Sequence, residues 1–150
     1  MNLLAKLFAG KKTQSPTAPE DASHRAVTQF MKGQISRQEM LARLVAGFIS
    51  VPLAEPPKME KGYLKSWKPA TTSKTDASQW LVAFTYTEAG STFGLQNNYL
   101  FGISTSTEWL LDVLPPGHGL VLNPGSQYLF EWSAEEISKY KLEVLGHSAS

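Results

Sequence analysis

The sequence predicts an α+β fold in which one mixed or antiparallel sheet is covered by three to four helices. Two patterns support this fold class. Some segments repeat apolar residues at helical spacing behind a capping signal, and others alternate apolar and polar residues as strands do. At 150 residues, with 42% hydrophobic and 18% charged residues, the chain is long and apolar enough to bury a single core.

Helices are predicted where Ser or Thr is followed three residues later by Glu, because this capping box satisfies free backbone N–H groups at a helix start. The pairs are Ser36 with Glu39, Thr105 with Glu108, and Ser133 with Glu136. Apolar residues at helical spacing within residues 22–32 predict one more helix, which ends at Gly33. The pattern therefore predicts up to four helices.

Strands are predicted in four segments: 48–53, 80–87, 120–122 and 128–132. Pro52 limits the first of them to a sheet edge or a strand end, because proline has no backbone N–H to donate. The second is the clearest, and we expect it to lie centrally in the sheet. Residues 88–104 contain three glycines and fit neither the helix pattern nor the strand pattern.

The chain is expected to consist of a flexible amphipathic tail and linker over residues 1–20, one domain over residues 21–146, and a frayed tail over residues 147–150. Two prolines and several small polar residues predict the linker. The opening peptide has apolar residues at helical spacing: Leu3, Leu4, Leu7 and Phe8. Two interpretations stay open for them, an amphipathic helix on a membrane or in a partner's groove, and a frayed tail.

A cytoplasmic location is the default expectation. The opening peptide is shorter than an export signal with its charged leader and cleavage site. No run of residues approaches the ~20 apolar residues of a membrane span. The chain has no cysteine, which excludes disulfides, thiolate catalysis and thiolate zinc sites without fixing the compartment.

The polar segment 54–79 predicts either an edge hairpin or a mobile loop. It lies in the basic half of the chain, since residues 1–75 hold twelve of the fourteen Lys and Arg residues while the net charge is only +1. Its candidate partner-binding residues are Tyr63, Lys65, Trp67 and Lys68. Alternating basic and aromatic residues bind single-stranded nucleic acid by charge and stacking. The favoured alternative is an exposed strand whose lysines discourage edge pairing and whose aromatic side chains fold inward.

The residue chemistry predicts that the protein is not an enzyme and has no cofactor or metal. His118 with Asp112 and Ser126 suggests a hydrolytic triad, but no nucleophile elbow of the G-x-S-x-G type is present. Histidine pairs at metal-binding spacing and glycine-rich phosphate loops are also absent from the sequence. The glycines on either side of His118 favour a turn that needs positive φ.

The run Asn123-Pro124-Gly125-Ser126 predicts a tight turn, because Asn bonds nearby backbone, Pro fixes φ and Gly accepts a left-handed conformation. This structural role explains the motif without a ligand. In the functional interpretation, this turn and the turn at His118 lie at opposite ends of one short strand and shape a surface that a partner protein recognises. His118 and the four turn residues are therefore candidate partner-binding residues.

Residues 110–126, with the sequence LLDVLPPGHGLVLNPGS, resemble the signature of the SseB amino-terminal domain family, in which a helix leads through a glycine turn to a strand ending in Asn-Pro-Gly-Ser. Residues 48–53 resemble the early strand of that family, and residues 81–85 resemble its central strand. Together the similar pieces extend over about residues 25–143. The amino-terminal extension and the long lysine segment depart from the family pattern.

The resemblance implies a bacterial α+β domain without an established enzymatic activity. We expect a protein-binding module of the regulatory or scaffold type, whose partner is another protein such as a toxin or a secretion-associated protein. Two alternatives stay open. One is an immunity protein that neutralises a bacterial toxin by direct binding, and the other is nucleic-acid binding through residues 58–74, which we expect to be the weaker hypothesis.

Overall fold

A computed structural model describes residues 6–8, 20–61, 63–74 and 78–144, with the backbone alone at residues 6–8, 20, 21, 63 and 64. The described residues form five helices: α1 Glu20–Met31, α2 Arg37–Val45, α3 Thr87–Asn97, α4 Thr107–Val113 and α5 Ala134–Glu143. They also form nine strands: β1 Lys6–Phe8, β2 Phe48–Leu53, β3 Lys58–Glu60, β4 Tyr63–Ser66, β5 Thr71–Ser73, β6 Gln79–Ala83, β7 Phe101–Ser106, β8 His118–Leu122 and β9 Phe130–Trp132.

The described strands form three sheets, with the orders β1-β7-β2, β3-β4 and β5-β6-β8-β9. The prediction of one sheet covered by three to four helices is therefore wrong, although the fold is α+β. The two larger sheets meet where Ser50 and Phe84 exchange two backbone hydrogen bonds of 2.8 Å. They separate where Ala70 enters between them, donating its N–H to Pro52 and accepting from the N–H of Val82, both at 2.9 Å. No pattern in the sequence predicts that Ala70 lies between the two sheets.

The additional helix, α3, comes from the segment that fits neither sequence pattern. Its glycines allow it to lie close to the sheet and to the chain that follows it. A Cβ atom at Gly90 would lie 3.5 Å from both Phe84 and Ser50. A Cβ atom at Gly94 would clash with the backbone oxygen of Tyr99. The same glycines lower helix propensity, which explains why the sequence pattern does not reveal α3.

The main core lies on one face of the two larger sheets, under α1, α2, α4 and α5. Its largest fully buried side chains include Trp132, Met40, Leu44, Ile49, Leu53, Leu110, Leu120 and Leu122. A second, smaller cluster lies on the opposite face of the four-stranded sheet and consists of Ala70, Val82, Phe84 and Val121. Among the described helices, only α3 adds side chains to this cluster. Of the described helices, α3 is thus the one that covers this second face, and the four residues of the cluster are at most 4% exposed.

Two of the three predicted capping boxes give the expected helix starts. Ser36 caps α2, and Ser133 caps α5 with a complete capping box. The third prediction is wrong by one residue, because Ser106 caps α4 and accepts from the N–H of Trp109 at 3.1 Å. Thr105 lies inside β7 instead and is fully buried.

The segment 54–79 forms the β3-β4 hairpin and the edge strand β5 in its described part, which agrees with the edge-hairpin alternative. In the opening peptide, residues 6–8 form β1, which pairs antiparallel with β7. Leu3, Leu4 and the predicted frayed tail 147–150 lie outside the described residues. Within the described part of the chain, no helix is long and apolar enough to cross a membrane.

Candidate functional site

The candidate site is a groove on the face of the four-stranded sheet that packs against α3. Two adjoining depressions of about 760 Å³ and about 580 Å³ form the groove. They share four lining residues: Phe93, Asn97, Pro124 and Gly125. One wall is therefore α3, the other is the connection between β8 and β9, and residues 71–74 lie at one end.

The floor of the groove is apolar and buried, whereas its walls and ends combine apolar and polar side chains. Val82 and Val121 lie opposite each other on the parallel strands β6 and β8 and form the floor. Phe93 on α3 stacks on Tyr99, with ring centroids 6.0 Å apart and an interplanar angle of 18°. Leu129, on the opposite side, is 44% exposed. Leu129 thus adds a partly exposed apolar side chain to the rim, above floor valines that are only 2% and 4% exposed.

The two ends of the groove differ in charge balance. At the β5 end, Lys74 forms an ion pair with Glu131, and its ammonium group lies 4.6 Å from the ring centroid of Trp80. At the α3 end, Glu88 is exposed and forms no ion pair within the described residues. Glu88 is therefore the charge of the groove that has no opposite charge beside it.

Asn123 fixes the turn that forms one wall of the groove. Its Oδ1 accepts from the backbone N–H of Thr85 at 2.9 Å, and its Nδ2 donates to Thr85 Oγ1 at 3.0 Å and to the backbone oxygen of Tyr128 at 3.2 Å. Asn123 and Thr85 are both fully buried. Because β6 and β8 are parallel, their carboxyl ends lie side by side, and the amide joins them there. The backbone of Asn123 has φ of 55°, which Asn tolerates better than most residues.

His24 extends this polar network to α1. Its Nδ1 lies 2.8 Å from Thr85 Oγ1. Thr85 Oγ1 also lies 3.3 Å from Asn123 Oδ1, to which it donates, and the tautomer of His24 decides which group donates in the contact between His24 and Thr85. The imidazole ring also contacts Tyr86 and Tyr128, with centroid distances of 4.4 Å and 4.8 Å. Sequence reasoning did not identify His24 as part of this network, because its partners lie about sixty to a hundred positions away along the chain.

The structure brings part of the predicted turn motif to the groove. Pro124, Gly125 and Ser126 line it, whereas Asn123 is buried behind them. Ser126 Oγ donates to the backbone oxygen of Asn123 at 2.9 Å and accepts from the N–H of Tyr128 at 3.0 Å. The motif thus has its predicted structural role and also shapes a wall of the groove.

His118 lies at the other end of β8, away from the groove. It lines a separate cleft of about 230 Å³ with Asp112 and Lys141. His118 Nδ1 is buried and has no hydrogen-bond partner within the described residues. The whole length of β8 lies between His118 and Ser126, so these two side chains do not form part of one site. Of the two glycines in the turn predicted around His118, Gly117 has the expected positive φ of 82°, whereas Gly119 does not have a positive φ and gives space to the Trp80 ring.

Within the lysine segment, Lys65, Trp67 and Lys68 do not line the groove, whereas residues 71–74 lie at one of its ends. Lys65 and Lys68 each have a carboxylate partner at 3.8 Å, Glu60 and Glu55 respectively. Trp67 packs against the main core and meets Trp109 with ring centroids 5.8 Å apart. The Trp67 ring is therefore engaged inside the protein rather than presented for stacking. The side chain of Tyr63 lies outside the described part of the structure.

The residues that sequence reasoning missed are the apolar ones of the groove. Phe93 and Tyr99 belong to the unassigned segment, and Leu129 lies between a turn and a strand. A sequence signal exists for Val82, Phe84 and Tyr86 on the predicted strand 80–87, and for Val121 on the predicted strand 120–122. In the described residues, no cluster of His, Asp and Glu side chains has the arrangement needed to hold a metal ion.

Comparison with known families gives one match. A family model described as the SseB protein N-terminal domain matches residues 24–139. That range contains every residue that lines the groove. Searches of curated proteins and of solved structures gave no match.

Proposed function

The chain belongs to the SseB protein N-terminal domain family, and on this premise we propose that it is a non-enzymatic protein-binding module of the regulatory or scaffold type, with the groove as its binding surface. The observation that carries the proposal is the groove between α3 and the β8-β9 connection, whose buried apolar floor lies beneath a rim of mixed polar and apolar side chains that includes the 44% exposed Leu129. A mixed surface suits a protein–protein interface, because such interfaces as a whole are only about as apolar as the rest of a protein surface.

The walls of the groove support recognition of a partner by a preformed surface. The Asn123 amide holds the turn through three hydrogen bonds to Thr85 and Tyr128. On the facing wall, the stacked rings of Phe93 and Tyr99 limit each other's motion. A rigid surface loses little conformational entropy on binding, so more of the contact energy remains as affinity.

Two hydroxyl groups of the groove, those of Ser126 and Thr92, favour binding over catalysis. Ser126 Oγ is used in two hydrogen bonds to the backbone of its own turn. Thr92 Oγ1 donates to the backbone oxygen of Glu88 at 3.0 Å. A nucleophilic hydroxyl needs an adjacent base that accepts its proton, and both of these hydroxyl groups donate to backbone oxygens instead.

The proposal is tested by affinity capture from a lysate of the source cells with three tagged proteins: the parent chain, Leu129→Arg in the groove and Leu142→Arg on α5. Leu142 is 56% exposed and lies outside the groove, so it is a matched control for a charge placed on the surface. We expect a stoichiometric protein with the parent and with Leu142→Arg, and at least a tenfold loss with Leu129→Arg. A toxin as the captured protein would assign the module to immunity.

Two results would contradict the proposal. Equal capture by all three proteins would place the partner elsewhere on the surface. Recovery of nucleic acid alone, lost at high salt, would favour the lysine segment instead, because phosphate contacts weaken steeply as salt rises. Thermal unfolding of each variant should be compared first, so that a loss of binding is not a loss of the fold.

A further inference from the structure

The β3-β4 hairpin is separate from the other sheets of the fold. Its two strands pair with each other and with no other described strand. All three residues of β3 are exposed, including Met59 at 48%, and none of them belongs to the core. A two-stranded hairpin is by itself at most marginally stable in water. The side chains of β3 therefore contribute little to folding and are open to another molecule.

The base of the hairpin is anchored to the domain. The backbone N–H of Ala54 donates to the backbone oxygen of Lys68 at 2.9 Å. The Trp67 ring packs against the main core and meets the ring of Trp109. Because these contacts hold the hairpin at its base, less conformational freedom is lost when its tip binds a partner.

Lys61, in the turn between β3 and β4, adopts a conformation that lysine disfavours. Its φ is 54°, in the left-handed region that Gly and Asn occupy more easily. The other described non-glycine residues with positive φ, Asn98 and Asn123, are both asparagine. A lysine in this turn costs stability that an asparagine would not cost. Such an outlier points to a use for the side chain that is present.

The hairpin carries unbalanced positive charge. Residues 55–68 hold four lysines and two glutamates, which gives a net charge of +2. Each glutamate lies 3.8 Å from one lysine, Lys65 or Lys68. Lys58 and Lys61 are exposed and form no ion pair within the described residues. These two lysines are therefore the charges of the hairpin that a partner can neutralise.

We propose that the hairpin is a second docking surface, on which Lys58 and Lys61 bind carboxylate groups on an acidic surface of a partner protein. Charge pairs of this kind speed association and fix the orientation of a complex. A protein is favoured over a nucleic acid, because the Trp67 ring packs inward and Glu55 and Glu60 would repel a continuous row of phosphates. No residue of the hairpin lines the groove, so this inference does not depend on the proposed function.

The test is carbodiimide crosslinking in a lysate of the source cells, because this reagent joins lysine amines to carboxylates in direct contact with them. The tagged full chain is recovered, and mass spectrometry identifies the lysines joined to a second protein. We expect adducts at Lys58 and Lys61 in clear excess over adducts at Lys32 and Lys139. These two control lysines are also exposed and form no ion pair within the described residues. No excess at the hairpin would contradict the proposal.

Charge reversal gives a matched comparison with the crosslinked protein after its purification. The double variant Lys58→Glu with Lys61→Glu should bind it about tenfold more weakly than the parent, because two exposed ion pairs are lost. Lys32→Glu with Lys139→Glu makes the same change in net charge and should bind as the parent does. Equal weakening by the two double variants would show that net charge, and not the hairpin, attracts the partner.

The variant Lys61→Asn separates a binding role of Lys61 from a structural one. Asparagine accepts the positive φ and carries no charge, so the midpoint of thermal unfolding should rise while the affinity falls about threefold. A lower midpoint would show that Lys61 stabilises the hairpin. An unchanged affinity would show that its charge is not used, and either result contradicts the proposal.

Two further outcomes distinguish the possible binding surfaces. If the parent recovers nucleic acid that Lys58→Glu with Lys61→Glu does not recover, the hairpin binds phosphates and the acidic protein is wrong. If capture does not depend on Leu129 but the hairpin adducts persist, the groove is wrong as a binding surface and the hairpin is supported.

Discussion

At the scale of single residues, Asn123 joins three parts of the chain with one side chain. Its amide bonds the end of β6 at Thr85 and the backbone at Tyr128, while its own backbone takes the left-handed conformation that the turn needs. The sequence predicts the turn from the residues Asn-Pro-Gly-Ser. It does not predict the bonds to Thr85, because that residue is 38 positions away and belongs to another element.

Asn123 gives a prediction for stability. Asn123→Gly leaves the buried N–H of Thr85 and the oxygen of Tyr128 without a partner, which should lower the free energy of unfolding by about 3 kcal/mol. Asn123→Ala should cost about 1 kcal/mol more, because alanine resists the positive φ that glycine accepts. Urea unfolding of the two variants measures both effects. A cost below about 0.5 kcal/mol for Asn123→Gly would show that the network does not stabilise the turn.

Tyr140 gives a prediction for pH dependence. Burial, and next the carboxylate of Glu108, raise the pKa of the Tyr140 phenol above its ordinary value of 10.0. Below pH 10 the phenol is protonated in both states, so its contribution to stability is complete. As pH rises further, the unfolded state loses the proton first and the free energy of unfolding falls.

The variant Tyr140→Phe cannot ionise and should lose less stability between pH 8 and pH 11 than the parent. Urea unfolding at the two pH values gives the difference, and groups common to both proteins cancel. An equal decrease in the parent and the variant would contradict the assignment to Tyr140.

At the scale of elements, the start of α4 shows where a capping pattern is ambiguous. Thr105 and Ser106 are neighbours, and each is a residue that caps helices well. The Thr105–Glu108 pair matches the capping box, but β7 continues through Thr105 to Ser106 and keeps the Thr105 side chain in the core. The pairing of β7 with β2 therefore decides the position of the cap, and sequence spacing alone does not contain that information.

Two substitutions separate the alternatives for this cap. Ser106→Ala removes the acceptor for the N–H of Trp109 and should cost about 1 kcal/mol. Thr105→Val should be neutral within about 0.5 kcal/mol or stabilising, because the buried Thr105 hydroxyl has no hydrogen-bond partner within the described residues. Urea unfolding measures both. A neutral Ser106→Ala together with a costly Thr105→Val would show that the cap is Thr105.

Helix α3 shows a different limit of sequence reasoning. Its N-terminal cap residue, Tyr86, provides no side-chain hydrogen bond, and two glycines lie in its buried face. These features oppose a helix in isolation, so the contacts with the sheet must favour it. Because α3 forms one wall of the groove, missing this helix in the sequence also means missing the groove.

At the scale of the whole molecule, the groove lies on the sheet face that α3, among the described helices, packs against. The sequence predicts the α+β class and four of the nine described strands, β2, β6, β8 and β9, since their apolar patterns are local. It does not predict the division into three sheets, of which the two larger ones separate where Ala70 enters between β2 and β6. The groove combines residues from β5 to β9, and its apolar lining comes together only through this long-range packing.

The most direct test of the central claim, that the groove is the protein-binding surface, is site-specific photocrosslinking. The chain has no cysteine, so Leu129→Cys in the groove and Leu142→Cys on α5 each give a single attachment point for a benzophenone maleimide. The two positions are 44% and 56% exposed, so labelling should be comparable. After illumination in the lysate, we expect one protein adduct from position 129 and none from position 142. An adduct from position 142 alone, or equal adducts from both positions, would contradict the claim.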